Sequence, residues 1–132
     1  MATKTVLVID DNAAHRALLR DVLEEAGFAV IAVGDGADAL SQLSANIDLV
    51  LLDLVMPGAA MDGFAFLAKA GERAQLVNTP VIVLSGLGES VVEALDPTTA
   101  TALRIVAVIP KPIDIGALLS RVHAALDAHE RP

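Results

Sequence analysis

The stretch VLVIDD, residues 6–11, sets four consecutive apolar side chains directly before two carboxylates. The apolar part is too short for a helix and has no polar side to face water, so it predicts a β-strand buried on both faces. We therefore expect the acidic pair at residues 10 and 11 to lie at one edge of a sheet, where this strand ends.

Four further runs of the same kind follow, at residues 29–33, 49–52, 81–84 and 105–109. Segments with helical spacing separate the runs, and Asp96-Pro97 interrupts the one before the last run. Five such alternations predict an α/β fold, a doubly wound (βα)5 parallel sheet with helices on both faces. The buried runs also account for the mean hydropathy of +0.62.

The first helical segment has an apolar residue at every fourth position. The predicted buried face consists of these residues, Ala14, Leu18, Val22 and Ala26. Gly27 favours the end of this helix, and Asp35 is placed to cap the start of the next. Because His15 and His123 fall on separate helices, we expect solvated positions for both rather than a metal site.

The composition narrows the function before any motif is considered. With 132 residues, 55% of them hydrophobic, the chain fits one globular domain with its own core. Nine basic and seventeen acidic side chains give a formal net charge of −8, which repels phosphate backbones and anionic lipids. We therefore expect no nucleic acid and no membrane as partners. The lack of cysteine leaves the compartment undecided, but the absence of a signal peptide and of a membrane span points to the cytoplasm.

Polar residues follow four of the five apolar runs. Asp10 and Asp11 follow the first run, and the third, fourth and fifth lead to Asp53, Ser85 and Lys111. Because the carboxyl ends of parallel strands meet at one edge of the sheet, these side chains should lie together. Three carboxylates held close together repel one another unless a hard divalent cation lies among them, and Mg²⁺ binds a few carboxylates and keeps waters as its other ligands. A carboxylate beside the Mg²⁺ ion can form an aspartyl phosphate, with a lysine and a hydroxyl facing the phosphoryl oxygens.

Five motifs together resemble those of a response regulator receiver domain of two-component signalling. They occur at residues 6–11 (VLVIDD), 51–57 (LLDLVMP), 61–63 (MDG), 83–86 (VLSG) and 111–112 (KP). The resemblance extends over almost the whole chain. It implies a flavodoxin-like three-layer sandwich with strand order 2-1-3-4-5, in which the first and fifth helices cover one face and the others cover the opposite face.

The resemblance also implies a role for each residue at the strand ends. Asp53 would accept a phosphoryl group from a sensor histidine kinase or a histidine phosphotransfer protein. Mg²⁺ would be held by four groups: Asp10, Asp11, Asp53 and the backbone carbonyl of Val55. Ser85 would contact the phosphoryl group and trigger the switch, and Lys111 would pair with it. The Lys111–Pro112 bond would be cis, an isomer found almost exclusively before proline.

Two departures from the family pattern concern how such a switch works. Three residues before the lysine, where the family commonly has a mobile aromatic side chain, stands Val108. We therefore expect Ser85 to signal through the loop that follows it, residues 86–90. Val55 and Leu87 flank the site and cannot hydrogen-bond an attacking water, which predicts slow loss of the phosphoryl group.

The predicted organisation is a single receiver domain over residues 1–132, with its core at about 4–128 and no output domain. The chain would be a signalling switch rather than an enzyme with a separate substrate. Its output would be contact with a downstream protein target, or transfer within a phosphorelay; a receiver cut from a hybrid kinase would look the same. A homodimer could form through the face of the fourth helix, fifth strand and fifth helix.

Two other functions stay open at this point. Gly34, Gly36 and Ala39 fit a loose G-x-G-x-x-A pattern between a strand and a helix, as in a Rossmann-like dinucleotide-binding domain. Against this function, Asp35 and Asp38 would place two negative charges beside a pyrophosphate. The second alternative is a pseudo-receiver that acts only as a binding module, and the complete set of strand-end residues argues against it.

Overall fold

Five parallel strands form one sheet, and they lie at the five predicted runs. The computed structural model describes residues 3–42, 47–53, 79–85 and 104–129, together with Phe66 and Lys69. The strands are β1 Thr5–Ile9, β2 Ala29–Val33, β3 Leu49–Asp53, β4 Val81–Ser85 and β5 Ile105–Pro110. Their order is β2-β1-β3-β4-β5, so the predicted doubly wound, flavodoxin-like fold is confirmed.

Helices cover both faces of this sheet. The described helices are α1 Ala13–Glu25, α2 Gly36–Ser41 and the C-terminal α3 Ile115–His129, and Phe66 and Lys69 are also helical. One core cluster joins the strands to Leu19 and Leu23 of α1 and to the buried side of α3. The other joins them to Ala39 of α2 and to Phe66. The first and last helices therefore share one face, as predicted.

Successive residues of the central strands point to opposite faces of the sheet. In β1, Leu7 and Ile9 pack on the α2 side, and Val6 and Val8 pack on the α1 side. Strands β3 and β4 are buried along their whole length. The prediction of burial on both faces is wrong for β2 and β5, which are mostly half-buried because they are the outer strands of the sheet.

The buried face of α1 also differs from the predicted one. Leu19 and Leu23 are fully buried, whereas Ala14 is exposed and Leu18 is 50% exposed. The helix carries two apolar rows with the same spacing, so periodicity alone does not choose between them. The row of Leu19 and Leu23 lies on the side from which Arg16 reaches back to the end of β1, and this side faces the sheet.

Side-chain caps fix where the helices begin. The Asn12 carboxamide oxygen accepts from the His15 backbone N–H at 2.9 Å. At the start of α2, Asp35 is the cap that the sequence predicts, and its side chain accepts from the Asp38 backbone N–H at 2.9 Å. Each such cap contributes about 1 kcal/mol. Gly27, with a φ of 100°, follows α1 at the predicted end of the helix.

The start of β5 is irregular. Arg104 precedes the strand with a φ of 60°, in the left-handed region that favours glycine. Ile105 pairs with Val81 and Ala107 with Ile82, so Val106 is an extra residue in a β-bulge. After the bulge the strand keeps its register up to Pro110, and Lys111 follows at the carboxyl edge of the sheet.

Some predicted features lie outside the described residues. They include the loops after β3 and β4, most of the third helix, and the helical segment that contains Asp96-Pro97. Within the described parts of the chain, no helix is long and apolar enough to cross a membrane.

Candidate functional site

Asp10, Asp11 and Asp53 form an acidic cluster at the carboxyl edge of the sheet. Ile9 pairs with Leu52 on the neighbouring strand, so the residues that follow them, Asp10 and Asp53, lie side by side. One carboxylate oxygen from each acid lies within 4.8 Å of the other two. Asp10 and Asp53 are buried and Asp11 is partly exposed, so the cluster meets solvent at Asp11.

Lys111 supplies positive charge beside this cluster. Its Nζ donates to Asp53 Oδ2 at 2.9 Å. Ser85 is buried at the end of β4, and its carbonyl accepts a 2.9 Å hydrogen bond from the Lys111 backbone N–H. The Lys111–Pro112 peptide bond is cis, the isomer that the resemblance implies. The acids, Ser85 and Lys111 therefore meet at one edge of the sheet.

The acidic cluster has the donor set of a site for a small divalent cation. Carboxylate oxygens are the ligands that Mg²⁺ prefers, and this ion keeps waters in its remaining positions. Three carboxylates within 4.8 Å repel one another, and the Lys111 ammonium offsets one negative charge of the three. A divalent cation would offset the other two.

Asp10 is held by contacts to several of its atoms. The Asn12 backbone N–H donates to Asp10 Oδ1 at 2.9 Å, and the His15 imidazole Nδ1 contacts Asp10 Oδ2. Arg16 donates to the Asp10 carbonyl at 2.7 Å, and the Asp10 backbone N–H donates to the Val33 carbonyl at 3.1 Å. The side chain and the backbone of this acid are therefore both fixed.

The prediction that His15 is a solvated helix position is wrong. Its side chain is 22% exposed and is directed at the buried Asp10 carboxylate. Helical periodicity does not reveal this contact, because it joins the first turn of α1 to the strand end before it. The spacing of five residues between an acid and a histidine across a helix start is a weak indication of such a contact. His123 is exposed, and its ring lies 5.4 Å from that of Phe28, away from the acidic cluster.

Of two further predicted site positions, Val55 and Val108, the structure describes only Val108. Val55, whose carbonyl the resemblance assigns to Mg²⁺, lies outside the described residues, as do Leu87 and residues 86–90. Val108 is described: it pairs with Val83 on β4 and packs, half-buried, against the core cluster on the α2 side.

An open depression of about 440 Å³ borders the site. Its lining comes from the start of α1 and from the residue after β5: Asn12, Ala14, His15, Leu18 and Lys111. The depression thus joins an exposed apolar side chain, Leu18, to the lysine that contacts Asp53.

The glycines of the dinucleotide pattern serve another purpose in this fold. Asp35 caps α2 by accepting from the Asp38 backbone N–H, so a carboxylate lies where a pyrophosphate would have to bind. At Gly34, a Cβ atom would come within 3.2 Å of the Arg16 guanidinium. Gly34 therefore leaves room for the arginine that holds the end of β1.

Sheet order, acidic cluster and lysine contact together define a class, the doubly wound α/β proteins with an acidic site beyond the carboxyl ends of the strands. Within that class, a family profile described as the response regulator receiver domain matches residues 6–123. The chain belongs to this family, whose members are the receivers of two-component systems.

Curated relatives agree with this assignment. The chain is 36% identical over 121 residues to the transcriptional regulatory protein CpxR of Escherichia coli (strain K12), an alignment of 92% of this chain and 48% of that protein. It is 34% identical over 122 residues to the autoinducer sensor kinase/phosphatase CqsS of Vibrio cholerae, covering 92% of this chain and 17% of that protein. The chain thus spans about half the length of CpxR and less of CqsS.

Solved structures share the fold. A CheY-like receiver domain protein from Methanospirillum hungatei has a TM-score of 0.80 at 25% identity, covering 98% of both chains. The chemotaxis protein CheY4 of Vibrio cholerae has a TM-score of 0.82 at 26% identity, covering 95% of this chain and all of that one.

Proposed function

We propose that this chain is a phosphorylation-controlled switch that accepts a phosphoryl group on Asp53 from a sensor histidine kinase or a histidine phosphotransfer protein. The observation that carries the proposal is the setting of Asp53. It is a buried carboxylate beside two further acids, and Lys111 Nζ lies 2.9 Å from its Oδ2. Of the three acids, Asp53 is the one that the lysine contacts, which favours it as the acceptor.

In the transfer, an Asp53 carboxylate oxygen attacks the phosphorus of a phosphohistidine. A P–O bond forms as the P–N bond breaks, and the electron pair of the broken bond stays with the donor imidazole. Lys111 pairs with a phosphoryl oxygen, and the Ser85 hydroxyl donates to another. Asp10 and Asp11, with Asp53, would hold Mg²⁺, which when bound supplies positive charge opposite the phosphoryl oxygens.

The open depression supports an approach of the donor over the start of α1. Its lining includes Lys111 and Leu18, and the side chain of Leu18 is half exposed. A histidine on a donor helix that covers Leu18 would lie next to the lysine and the acidic cluster. Exposed apolar area of this kind is typical of a surface that becomes covered in a complex.

The output is contact with a downstream protein or transfer to the next member of a phosphorelay, in the cytoplasm. Phosphorylated chains could pair through the face that contains β5, where Val106 is 45% exposed.

Val55 and Leu87 are apolar, which supports slow loss of the phosphoryl group from Asp53. Mass spectrometry after removal of the phosphodonor measures that loss, and a half-life of seconds would contradict it.

Phosphorylation by a small donor tests the proposal. Incubation with acetyl phosphate and Mg²⁺ should add the mass of one phosphoryl group to the native chain and to Asp35→Asn, a matched substitution away from the site. Asp53→Asn should gain no mass. A native chain that folds but gains none would support the pseudo-receiver instead.

A further inference from the structure

We propose that His15 is a positioning residue for the divalent-cation site. It fixes the carboxylate of Asp10 in the orientation in which Asp10, Asp11 and Asp53 act together as ligands. This inference rests on the proposed function, because it assumes that the acidic cluster takes a cation. It adds a residue outside the three acids, on a different element of the fold.

The contact between His15 and Asp10 is specific. The imidazole Nδ1 contacts Oδ2 of Asp10, whose other oxygen accepts from the Asn12 backbone N–H. A carboxylate can only accept, so Nδ1 of the imidazole carries the hydrogen of this bond. The Asp10 side chain is 1% exposed, and the two hydrogen bonds therefore replace the water that a free carboxylate would have.

The position of His15 follows from the start of α1. Asn12 caps the helix by accepting from the backbone N–H of His15, which holds the histidine in the first turn beside the end of β1. Arg16, the next residue, binds the Asp10 carbonyl and reinforces this alignment. The first turn of α1 therefore contacts both the backbone and the side chain of Asp10.

Repulsion within the acidic cluster explains why the Asp10 carboxylate needs hydrogen bonds that hold its orientation. With ligand oxygens of the three acids within 4.8 Å, each carboxylate is driven to turn away from the others. A hydrogen bond to Asp10 Oδ2 opposes this rotation before a cation arrives. Loss of such an outer partner of a ligand lowers metal affinity by about 10–100-fold.

Direct cation binding tests the inference without any phosphoryl transfer. Free Mn²⁺, followed by electron paramagnetic resonance, gives the dissociation constant for the native chain and three variants at one pH, with Mg²⁺ competition as a check. His15→Leu removes the donor and should weaken binding about tenfold. His15→Asn keeps an N–H near the Nδ1 position and should stay close to the native value. His123→Leu, the same change at an exposed histidine, should bind as the native chain does.

The outcomes separate this inference from the proposed function. Thermal unfolding in EDTA establishes that each variant is folded before its affinity is compared. Native affinity in His15→Leu, or equal weakening in His15→Leu and His15→Asn, would overturn the role of the imidazole N–H and leave the phosphoacceptor proposal intact. A native chain that binds neither Mn²⁺ nor Mg²⁺ would overturn the cation site itself, and the role of His15 with it.

Discussion

Lys111 and Asp53 are 58 residues apart in the chain, yet the lysine Nζ lies 2.9 Å from Oδ2 of the aspartate. Strand β4 lies between the strands that precede them, and its register brings both to the same edge of the sheet. The contact places the lysine ammonium group where the phosphoryl oxygens would arrive in the proposed transfer.

Removal of the lysine charge should slow phosphorylation of Asp53. Because a fixed donor opposite a developing negative charge is worth about 100-fold or more in rate, we expect Lys111→Met to react with acetyl phosphate at least about tenfold more slowly. Lys69→Met, at an exposed helical lysine, is the matched control and should react at the native rate. Intact-mass time courses at saturating Mg²⁺ measure both, and a native rate in Lys111→Met would contradict the role of the lysine.

The Asp11 carboxylate should destabilise the folded chain when no cation is bound and stabilise it when Mg²⁺ is bound. Asp11→Asn removes one repelling charge, so the variant should be more stable than the native chain in EDTA by about 1 kcal/mol. At a Mg²⁺ concentration ten times the dissociation constant, the native chain should gain about 1.4 kcal/mol, and the variant much less.

Thermal or urea unfolding with and without Mg²⁺ gives these four free energies of unfolding. Asp21→Asn, at an exposed position of α1, should keep the native gain from Mg²⁺. If Asp11→Asn kept the full gain, Asp11 would not be a ligand.

The left-handed conformation of Arg104 predicts a difference between two substitutions at one position. Arg104→Gly and Arg104→Ala lose the same side-chain contacts, but the glycine alone relieves the backbone strain at a φ of 60°. The glycine variant should therefore be the more stable of the two by about 1 kcal/mol in urea unfolding. Equal stabilities would show that the backbone at this turn is not strained.

At Gly27 the opposite substitution is possible, in which a glycine with a positive φ is replaced by alanine. Its φ is 100°, and apart from its two chain neighbours no described residue has an atom within 4 Å of a Cβ built there, so the loss of stability in Gly27→Ala reports the backbone alone.

The sequence predicted the strands well because continuous apolar runs have few other uses in a chain of this length. Asp53 and Lys111 were also predicted to meet, since parallel strands deliver their carboxyl ends to one edge. The half-burial of β2 and β5 was missed, because position in the sheet depends on the order of the strands and not on the composition of a single strand.

Contacts between a helix and a strand end were the other part that the sequence did not reveal. The face of α1 was predicted from one apolar row, but the row of Leu19 and Leu23 is the buried one, and His15 and Arg16 anchor the first turn of that helix to Asp10. These anchors depend on side-chain reach in three dimensions, which periodicity does not contain.

The switch should act through the loop after β4 rather than through residue 108. Val108 has no ring to rotate and is packed against the core cluster. With beryllofluoride as a phosphoryl mimic, we expect amide chemical shifts to change at residues 86–90 as well as at the site, and Ser85→Ala to lose the changes at 86–90. Shift changes confined to the site in the native chain would contradict this route.

Chemical identification of the acceptor tests the central claim most directly. Borohydride reduces an aspartyl phosphate to homoserine, so the native chain is treated with acetyl phosphate and Mg²⁺, reduced, and sequenced by tandem mass spectrometry. The account predicts homoserine at position 53, and none in chains treated without the donor. Homoserine at another aspartate, or at none in a folded chain, would contradict the assignment of Asp53 as the phosphoacceptor.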